Sequence, residues 1–557
     1  MVWWLHHVAY LMQPGQNPVA NYWRKLTDPS LNPFSKLYQL NSFDIAVMIP
    51  YFLVLAVLAM YGLHRYWLVF HYFKYKHNLP GPPPAVAEWP KVTIQLPIFN
   101  ERYVIERLVD AVVKFDYPKK LLQIQVLDDS TDETREIARA CVERHQAMGV
   151  PIQYLHRTNR DGFKAGALEE GLKSATGEFI AIFDADFLPP ADFLRRTLPF
   201  FLAPSAMVSD PSKIGMAQAR WTYLNSRYSK LTEIETILLD GHFVIEHGSR
   251  SRRGTFFNFN GTAGIWRRTA IEDAGGWEHD TLTEDTDLSY RAQLRGWKFL
   301  YLPEIECVSE LPVEMNAFKA QQARWAKGLI QVAKKILPRV FRSDQPWKVK
   351  AEAFFHLTAN ISYPLMILLS TMLLPAMIVR FYQGWFQMIV IDLPLFLAST
   401  CSISSFYLVA QRTLHPKTWK RTFFYLPFVM ALGIGIAVRN ALAVMEALFG
   451  KQSEFVRTPK YRIEGQQDNW AKKAYRKPSG LLPYVEVLLG IYFAVTVLYA
   501  IQNENYATVP FLLLFVWGYL YTGLMSLGQC YFERMRFKVE PPEELTPRAA
   551  SSGAPSF

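Results

Sequence analysis

Cysteine is scarce in this sequence, and sulfur-ligand spacing is missing. The 557 residues include four cysteines, and no two of them form a Cys-x-x-Cys pair. They stand at Cys141, Cys307, Cys401 and Cys530. Disulfide frameworks and structural zinc sites need several sulfur ligands at short spacing, so the sequence argues against both. We expect plain buried thiols.

Charged residues are also few. They make up 20% of the chain, whereas hydrophobic residues make up 50%. The net charge of +11 can indicate a nucleic-acid, anionic-lipid or phosphorylated partner. No nucleic-acid-binding signature is present, so we expect no nucleic acid, and membrane lipid and a nucleotide diphosphate are the better candidates. Cytoplasmic loops of membrane proteins are basic in any case, which accounts for part of the excess.

Apolar residues collect in blocks on both sides of a more mixed segment. Five stretches have the length and composition of a membrane span: 45–63, 355–379, 389–409, 482–501 and 509–527. A sixth stretch, 422–448, is apolar but carries glycines and charges, so it either spans, lies in the interface or dips in and returns. The segment 1–80 is therefore predicted to hold the first span, and 350–530 the C-terminal membrane region.

The distribution of basic residues predicts the topology. The loop 411–421 and the region after the last span are basic, whereas the loop 503–508 has no Lys or Arg. The positive-inside rule places the first two in the cytoplasm and the third outside. This predicts an integral protein of the inner or plasma membrane with about five spans, its N-terminus outside and its C-terminus inside. The tail 541–557 is predicted to be disordered.

Residues 90–315 have the pattern of a cytoplasmic α/β domain. Short β-rich runs end in polar or acidic residues and alternate with helical stretches: 92–99, 101–114, 124–130, 132–147 and 179–186. This alternation predicts a mainly parallel sheet. Ligands of such sheets bind beyond the carboxyl ends of the strands, where these acidic residues lie.

Several acidic pairs could carry chemistry. Asp184 and Asp186 suit a hard divalent cation that binds a diphosphate, although polar strand ends are common. The groups 128–129 and 100–101 could accept hydrogen bonds from a nucleotide or cap a helix. Asp285 after Glu284 could deprotonate a sugar hydroxyl in an inverting displacement, or both could favour a helix N-terminus.

Basic and aromatic residues supply possible partners. Lys164 precedes a predicted helix and could face a diphosphate. The segment 316–345 reads as a basic amphipathic helix at the membrane surface. On it, Gln321 and Trp325 share a face, where the ring could stack on a sugar, and Arg324 could pair with a diphosphate. A membrane-anchoring aromatic with a surface arginine is the alternative.

In this order the motifs resemble those of the processive family 2 glycosyltransferases of the cellulose synthase superfamily. The stretches QVLDDSTDET, GFKAGALEEGL, FIAIFDADFLP and FNGTAGIWRR look most like the cellulose-synthase-like A and C group. That group makes β-1,4-linked mannan, glucomannan or glucan backbones. The resemblance covers 92–340 and implies an α/β GT-A-type domain inserted between transmembrane helices, with amphipathic interface helices.

The resemblance also implies site roles. Asp285, with Glu284 beside it, would be the catalytic base, and Asp184 and Asp186 would hold Mg or Mn. Donor-binding residues would be Asn100, Glu101, Asp128, Asp129, Lys164, Asp184, Asp186, Gln321 and Arg324. Acceptor-binding residues would be Asn260, Gly261 and Trp325. The segment 455–460 looks like the gating loop of cellulose synthase, with Phe455, Thr458 and Lys460 as its functional residues, although an ordinary basic loop is possible.

The implied function is polymerisation of a β-linked glucan or mannan from UDP-glucose or GDP-mannose at the cytoplasmic face, with passage of the chain across the membrane. The sequence lacks the cyclic-dinucleotide-binding extension of bacterial cellulose synthase, and it has one N-terminal span where that subunit has several. Secretion partner subunits are therefore possible. The alternatives are a glycolipid-forming transferase of the ceramide or diacylglycerol type, and a catalytically silent scaffold.

Overall fold

The computed structural model describes residues 42–82, 84–380, 393–451, 457–465, 467–468, 470 and 480–539. Three predictions lie outside these residues: the start of the segment 1–80, Phe455 of the gating-like loop, and the tail 541–557. The first residues of the predicted span 389–409 are outside them as well.

A seven-stranded sheet forms the centre of the predicted domain. Its strands are β1 (Val92–Ile98), β2 (Leu122–Asp128), β3 (Ile152–His156), β4 (Phe179–Ile182), β5 (Ile214–Tyr223), β6 (Gly264–Arg267) and β7 (Lys298–Ser309). The spatial order is β3-β2-β1-β4-β6-β5-β7. β6 is antiparallel to its neighbours β4 and β5, and the other neighbouring pairs are parallel. The prediction of a mainly parallel sheet is confirmed.

The central strands are buried on both faces. Val92, Ile94 and Leu96 of β1 are each at most 1% exposed and belong to the main hydrophobic core. On the opposite face Gln95 is also buried, and its Nε2 donates to Gln125 Oε1 of β2 at 3.1 Å. Buried amides are stable here because they pair with each other. Near-continuous burial is typical of a sheet that helices cover on both sides.

Helices connect the strands and cover the sheet. They are α2 (Ile105–Val112), α3 (Thr134–Ala147), α4 (Phe163–Ser174), α5 (Phe193–Thr197), α6 (Pro199–Leu202), α7 (Lys230–Gly241), α8 (Gly248–Arg253), α9 (Arg268–Asp273) and α10 (Glu284–Leu294). A π-helical turn, His242–His247, joins α7 directly to α8. The parallel connections bring the carboxyl ends of β1, β2 and β4 to one edge of the sheet.

The remaining helices lie on either side of the domain in the chain. α1 (Ser42–Lys74) precedes it, and the others follow: α11 (Met315–Arg342), α12 (Trp347–Thr358), α13 (Ser362–Arg380), α14 (Leu393–Phe396), α15 (Ser402–Leu414), α16 (Thr422–Gly435), α17 (Ala437–Leu448), α18 (Leu482–Gln502) and α19 (Val509–Val539).

Within the described part of the chain, four helices are long and apolar enough to cross a membrane. They are Ile45–Lys74, Trp347–Ile378, Leu482–Gln502 and Tyr506–Tyr531. They overlap four of the predicted spans. α16 and α17 together would make a fifth, but they are bent by 44° at their junction. The bend fits a broken span or a re-entrant segment, so the interface position of 422–448 stays a prediction.

Helix α11 differs from an ordinary helix on the membrane surface. Two of its lysines are buried instead of facing outward. Lys319 Nζ lies 2.5 Å from Glu486 Oε1 of α18, and Lys327 Nζ lies 2.9 Å from Glu446 Oε2 of α17. Acidic partners on α17 and α18, two of the helices that follow the domain, make this burial possible. α11 therefore runs between the domain and those helices.

Candidate active site

One cleft collects most of the predicted site residues. It encloses about 190 Å³ at the carboxyl edge of the sheet, between the domain and α11. The predicted residues that line it are Glu101, Asp129, Lys164, Asp184, Asp186, Asn260, Gly261, Glu284, Asp285, Gln321, Arg324, Trp325, Thr458 and Lys460. Residues from eight separate stretches of the chain thus face one space.

The two carboxylates that follow β4 are each paired with a lysine. Lys164 Nζ lies 2.5 Å from Asp184 Oδ1, and it also donates to the Gly261 carbonyl oxygen at 2.9 Å. Lys460 Nζ lies 2.8 Å from Asp186 Oδ2. Burial raises the pKa of Asp184, against the opposing effect of Lys164. Each of the two carboxylates is therefore matched by one ammonium group.

Asp285 lies at the start of α10 in a position suited to proton transfer. Burial, together with the neighbouring Glu284 carboxylate, raises the pKa of Asp285 to about 7. Its Oδ1 accepts a hydrogen bond from the Thr286 backbone N–H at 2.6 Å, which fixes the carboxylate. A buried carboxyl with a pKa near neutrality can hold or release a proton at physiological pH, as a general base must.

Gly261 allows the neighbouring loop to approach this base. Its φ is +79°, in the left-handed region that favours glycine. A Cβ at this position would lie 3.1 Å from Asp285 Oδ2 and 3.3 Å from Lys164 Nζ. Any side chain here would therefore press on the base and on the lysine.

Helix α11 brings Gln321, Arg324 and Trp325 to the cleft because it packs closely on the turn before α10. A Cβ at Gly328 would lie 2.6 Å from Thr283 Cγ2, so only glycine permits this contact. One turn further on, Gln331 Oε1 accepts a hydrogen bond from the Leu282 N–H at 2.9 Å. Burial lowers the pKa of Arg324, and the surrounding carboxylates, Glu284 first, oppose that effect.

The described part of the gating-like loop reaches into the cleft. Arg457 Nη1 lies 2.7 Å from Glu101 Oε2, and Lys460 also donates to the Glu310 carbonyl oxygen. Burial raises the pKa of Glu101 to about 7, although Arg457 acts in the opposite direction. Glu310 holds the loop a second time, because the Tyr461 N–H donates to Glu310 Oε1 at 2.9 Å.

Asn100 and Asp128 do not line the cleft. Asp128 is fully buried, and its oxygens accept from Tyr154 Oη at 2.6 Å and from the Ser130 N–H at 3.0 Å. Asn100 has a positive φ, and its Oδ1 accepts from the Thr131 N–H at 2.9 Å. Both residues shape the loops that follow β1 and β2, and their predicted contact with a donor stays a prediction.

The next residue in the chain, Asp129, does reach the cleft. Arg157 Nε donates to its Oδ1 at 2.8 Å. Arg160 also lines the cleft, with its guanidinium 3.3 Å from the centre of the Phe99 ring. Sequence reasoning overlooked Arg160 and Arg457 as site residues. A basic residue next to a recognised motif was the signal that each of them offered.

Comparisons with known proteins show which family the domain resembles. Residues 90–328 match the family described as "Glycosyltransferase like family 2". The matched segment is a family 2 glycosyltransferase domain. This match, together with the mixed, mainly parallel sheet, confirms the predicted GT-A-type α/β domain and the resemblance to family 2 glycosyltransferases.

Two plant proteins are similar to about half of this chain. Glucomannan 4-beta-mannosyltransferase 1 of Oryza sativa subsp. japonica is 44% identical over 273 residues, which are 48% of this chain and 51% of that protein. Glucomannan 4-beta-mannosyltransferase 2 of Arabidopsis thaliana is 44% identical over 268 residues, which are 47% of this chain and 49% of that protein. The chain spans about half the length of the curated relatives it matches.

Among solved structures, the mannosyltransferase PcManGT from Pyrobaculum calidifontis, in complex with GDP-Man and Mn2+, is similar at 20% sequence identity. The similarity covers 72% of this chain and 100% of that one, with a TM-score of 0.46. A likeness at this level does not extend to ligands.

Proposed function

We propose that this protein is a membrane-embedded, inverting, processive glycosyltransferase that builds a β-1,4-linked mannan or glucomannan backbone. The observation that carries the proposal is the single cleft in which Asp285, the pair Asp184 and Asp186, and Arg324 of α11 meet. The names of the similar plant proteins favour mannose, and hence GDP-mannose, as the donor. UDP-glucose remains the second donor to test.

In the proposed reaction Asp285 accepts the proton of the acceptor sugar's 4-hydroxyl. The hydroxyl oxygen attacks the anomeric carbon of the donor from the face opposite the diphosphate. The new carbon–oxygen bond forms as the bond to the diphosphate oxygen breaks, and the nucleoside diphosphate leaves with the bonding electrons. One displacement of this kind inverts the anomeric configuration.

Cationic side chains of the cleft stabilise the charge that develops on the leaving group. Arg324 is half-buried and lies among carboxylates, and its charge-assisted hydrogen bond to a phosphate would be stronger there than in open water. Lys164 lies beside the Gly261 loop, between the donor side and the base. Trp325 offers a ring on which the acceptor sugar can stack.

The donor set of the cleft fits a divalent cation. Asp184 and Asp186 supply hard carboxylate oxygens that line the same cavity, and diphosphate oxygens can supply further ligands. When bound, magnesium or manganese would neutralise negative charge on the diphosphate. The lysines that now pair with the two carboxylates would then be available to the phosphates.

A polymer product is favoured over a glycolipid by the membrane helices that surround α11 and by the loop 457–461 in the cleft. We propose that the growing glycan leaves across the membrane, with the catalytic domain in the cytoplasm, the N-terminus outside and the C-terminus inside. Bound lipid and secretion partner subunits belong to the same proposal. A transferase acting on ceramide or diacylglycerol is the competing function.

The test uses purified full-length protein in nanodiscs with radiolabelled GDP-mannose or UDP-glucose, plus magnesium or manganese. The product is separated by size and by partition into organic solvent. We expect label from GDP-mannose in a high-mass, water-soluble or insoluble glycan. A small product that extracts into organic solvent would overturn the polymer proposal in favour of the glycolipid one, and the variant Asp285→Asn provides the inactive control.

A further inference from the structure

Two histidines contact the side-chain amide of Asn260, a residue that lines the cleft. Its Oδ1 lies 3.3 Å from His242 Nε2, and its Nδ2 lies 3.0 Å from His247 Nε2. Both histidines belong to the π-helical turn between α7 and α8. Five residues apart in an α-helix, they would point about 140° away from each other. The π turn brings their ring centres to 4.5 Å, and such turns are frequent at functional sites.

Glu246 sets the orientation of the first histidine. Its Oε2 lies 2.9 Å from His242 Nδ1. A carboxylate only accepts hydrogen bonds, so Nδ1 donates to Glu246. The partner of Nε2 is Asn260 Oδ1, which is also an acceptor, so Nε2 donates as well. Arg250 Nη1 donates to the same carboxylate oxygen at 3.3 Å. Burial acts to raise the pKa of Glu246, but Arg250 and His242 hold that pKa well below its usual range.

Arg250 also connects His242 and Glu246 to helices α12 and α1. Arg250 Nε donates to Glu352 Oε1 of α12 at 2.9 Å, and the two side chains are 3% and 2% exposed. His64 Nε2 of α1 lies 3.2 Å from the other oxygen of Glu352. A continuous polar chain thus connects the cleft to the helices Ile45–Lys74 and Trp347–Ile378, which are long and apolar enough to span a membrane.

The position of Asn260 is coupled to the proposed base. Asn260 is followed by Gly261, whose carbonyl oxygen accepts from Lys164 and whose Cα lies against Asp285. A shift of the Asn260 backbone would therefore change the space beside Asp285. Asn260 Oδ1 accepts from His242 and, at 2.9 Å, from Asn258 Nδ2, and one N–H of Nδ2 faces His247. The second N–H of the amide can donate to a hydroxyl oxygen of a sugar.

We propose that His242, oriented by Glu246, is a positioning residue that holds the Asn260 amide toward the acceptor sugar. Arg250 and Glu352 fix this clamp relative to the membrane helices, so that the end of the glycan is presented to Asp285 where the chain enters the membrane region. The inference rests on the proposed function, because it needs a sugar acceptor. It adds residues that no motif in the sequence indicated.

The test compares two reactions of the full-length protein in nanodiscs with the donor that supports transfer. One is transfer to glycan, and the other is hydrolysis of the donor by water, which needs no positioned sugar. We expect His242→Ala to lower transfer by about tenfold to a hundredfold, as misplacement of a reactant does, while hydrolysis changes little. His242→Gln keeps a hydrogen-bonding group near the Nε2 position and should recover most of the lost transfer.

A matched control lies outside the cleft lining. His145 Nε2 is 2.9 Å from Asp110 Oδ1, the same distance as in the His242 pair, but neither residue lines the cleft. His145→Ala should leave the ratio of transfer to hydrolysis unchanged. Thermal unfolding of each variant in detergent shows whether it remains folded.

The outcomes separate this inference from the proposed function. If transfer and hydrolysis fall together in folded His242→Ala, or if His242→Gln recovers nothing, the positioning role is wrong. If the wild-type protein transfers no sugar from either donor, the proposed function fails instead. Binding of a β-1,4-linked manno-oligosaccharide, followed by tryptophan fluorescence, then still tests the clamp: weaker binding by His242→Ala supports it, and unchanged binding overturns it.

Discussion

Helix α11 separates two groups of buried charges that are arranged differently. On the cleft side, Lys460 and Arg324 face a cavity bordered by several carboxylates, and Lys460 comes from a loop. On the membrane side, Lys319 contacts Glu486 from a packed helix, with Ser526 completing its hydrogen bonds. Charges that border a cavity can exchange partners with a ligand, whereas charges enclosed by helices can only hold those helices together. The same residue types thus border a cavity on one side and join packed helices on the other.

The largest expected effect is the loss of sugar transfer when Asp285 in the cleft is replaced. Asp285→Asn removes the proposed base but keeps a side chain of similar size that cannot accept the proton. We expect the rate of transfer to fall about a hundredfold to ten-thousandfold, with donor binding and thermal stability retained. Transfer rates and donor binding by calorimetry check this. Full activity of Asp285→Asn would remove the base from the account.

The next largest effect is a loss of stability when the buried pair of Lys319 and Glu486 is broken. Lys319→Met leaves the buried carboxylate of Glu486 without its cation, which costs about 3–5 kcal/mol of stability. Thermal unfolding in detergent should show the loss. The double variant Lys319→Met with Glu486→Met should recover most of it, because removing both charges leaves neither one uncompensated. A double variant that is as unstable as the single one would contradict the proposed anchoring role.

The dependence of kcat/KM on pH tests whether Asp285 in the cleft acts as the base. With its pKa raised to about 7, Asp285 is largely protonated below neutrality and cannot act as a base. The value of kcat/KM should therefore fall about tenfold for each pH unit below about 7 and level off above it. Rates measured with the donor below its KM check this. A profile that is flat from about pH 5 to pH 8 would contradict the assignment.

The smallest effect is expected for an exposed pair. Lys173 Nζ lies 2.7 Å from Glu170 Oε2 on α4, with both side chains more than half exposed. Lys173→Ala should change stability by less than about 1 kcal/mol, because water screens such pairs. The two ion pairs have similar N–O distances but different exposure, so comparing the stability lost in Lys173→Ala and in Lys319→Met isolates the effect of burial. An equal loss in both variants would show that burial does not distinguish the two pairs.

The sequence predicted those parts of the fold and the site that are recorded locally. Strands β1, β2 and β4 are apolar runs that end in acidic residues, and the carboxyl ends of parallel strands meet at one edge. That rule correctly placed Asp184, Asp186 and Glu101 on one cleft. It could not separate Asp128 from Asp129, because alternation along the extended chain turns one inward and the other toward the cleft.

Non-local partners could not be predicted. Glu486 lies 167 positions after Lys319 in the chain, and Glu446 lies 119 positions after Lys327, so nothing near either lysine indicated burial. The antiparallel strand β6 was also missed, because its four residues carry no clear period. The π turn that sets His242 beside His247 depends on tertiary packing and leaves no motif.

The stereochemistry of the product is the most direct test of the proposed inverting transfer. A single displacement assisted by Asp285 converts an α-linked sugar nucleotide into a β-linked glycan. The labelled polymer made from GDP-mannose is digested separately with a β-1,4-mannanase and an α-mannosidase. We expect the β-1,4-mannanase to cut the product into short oligosaccharides and the α-mannosidase to leave it intact. A product that resists the first enzyme and is degraded by the second would contradict it.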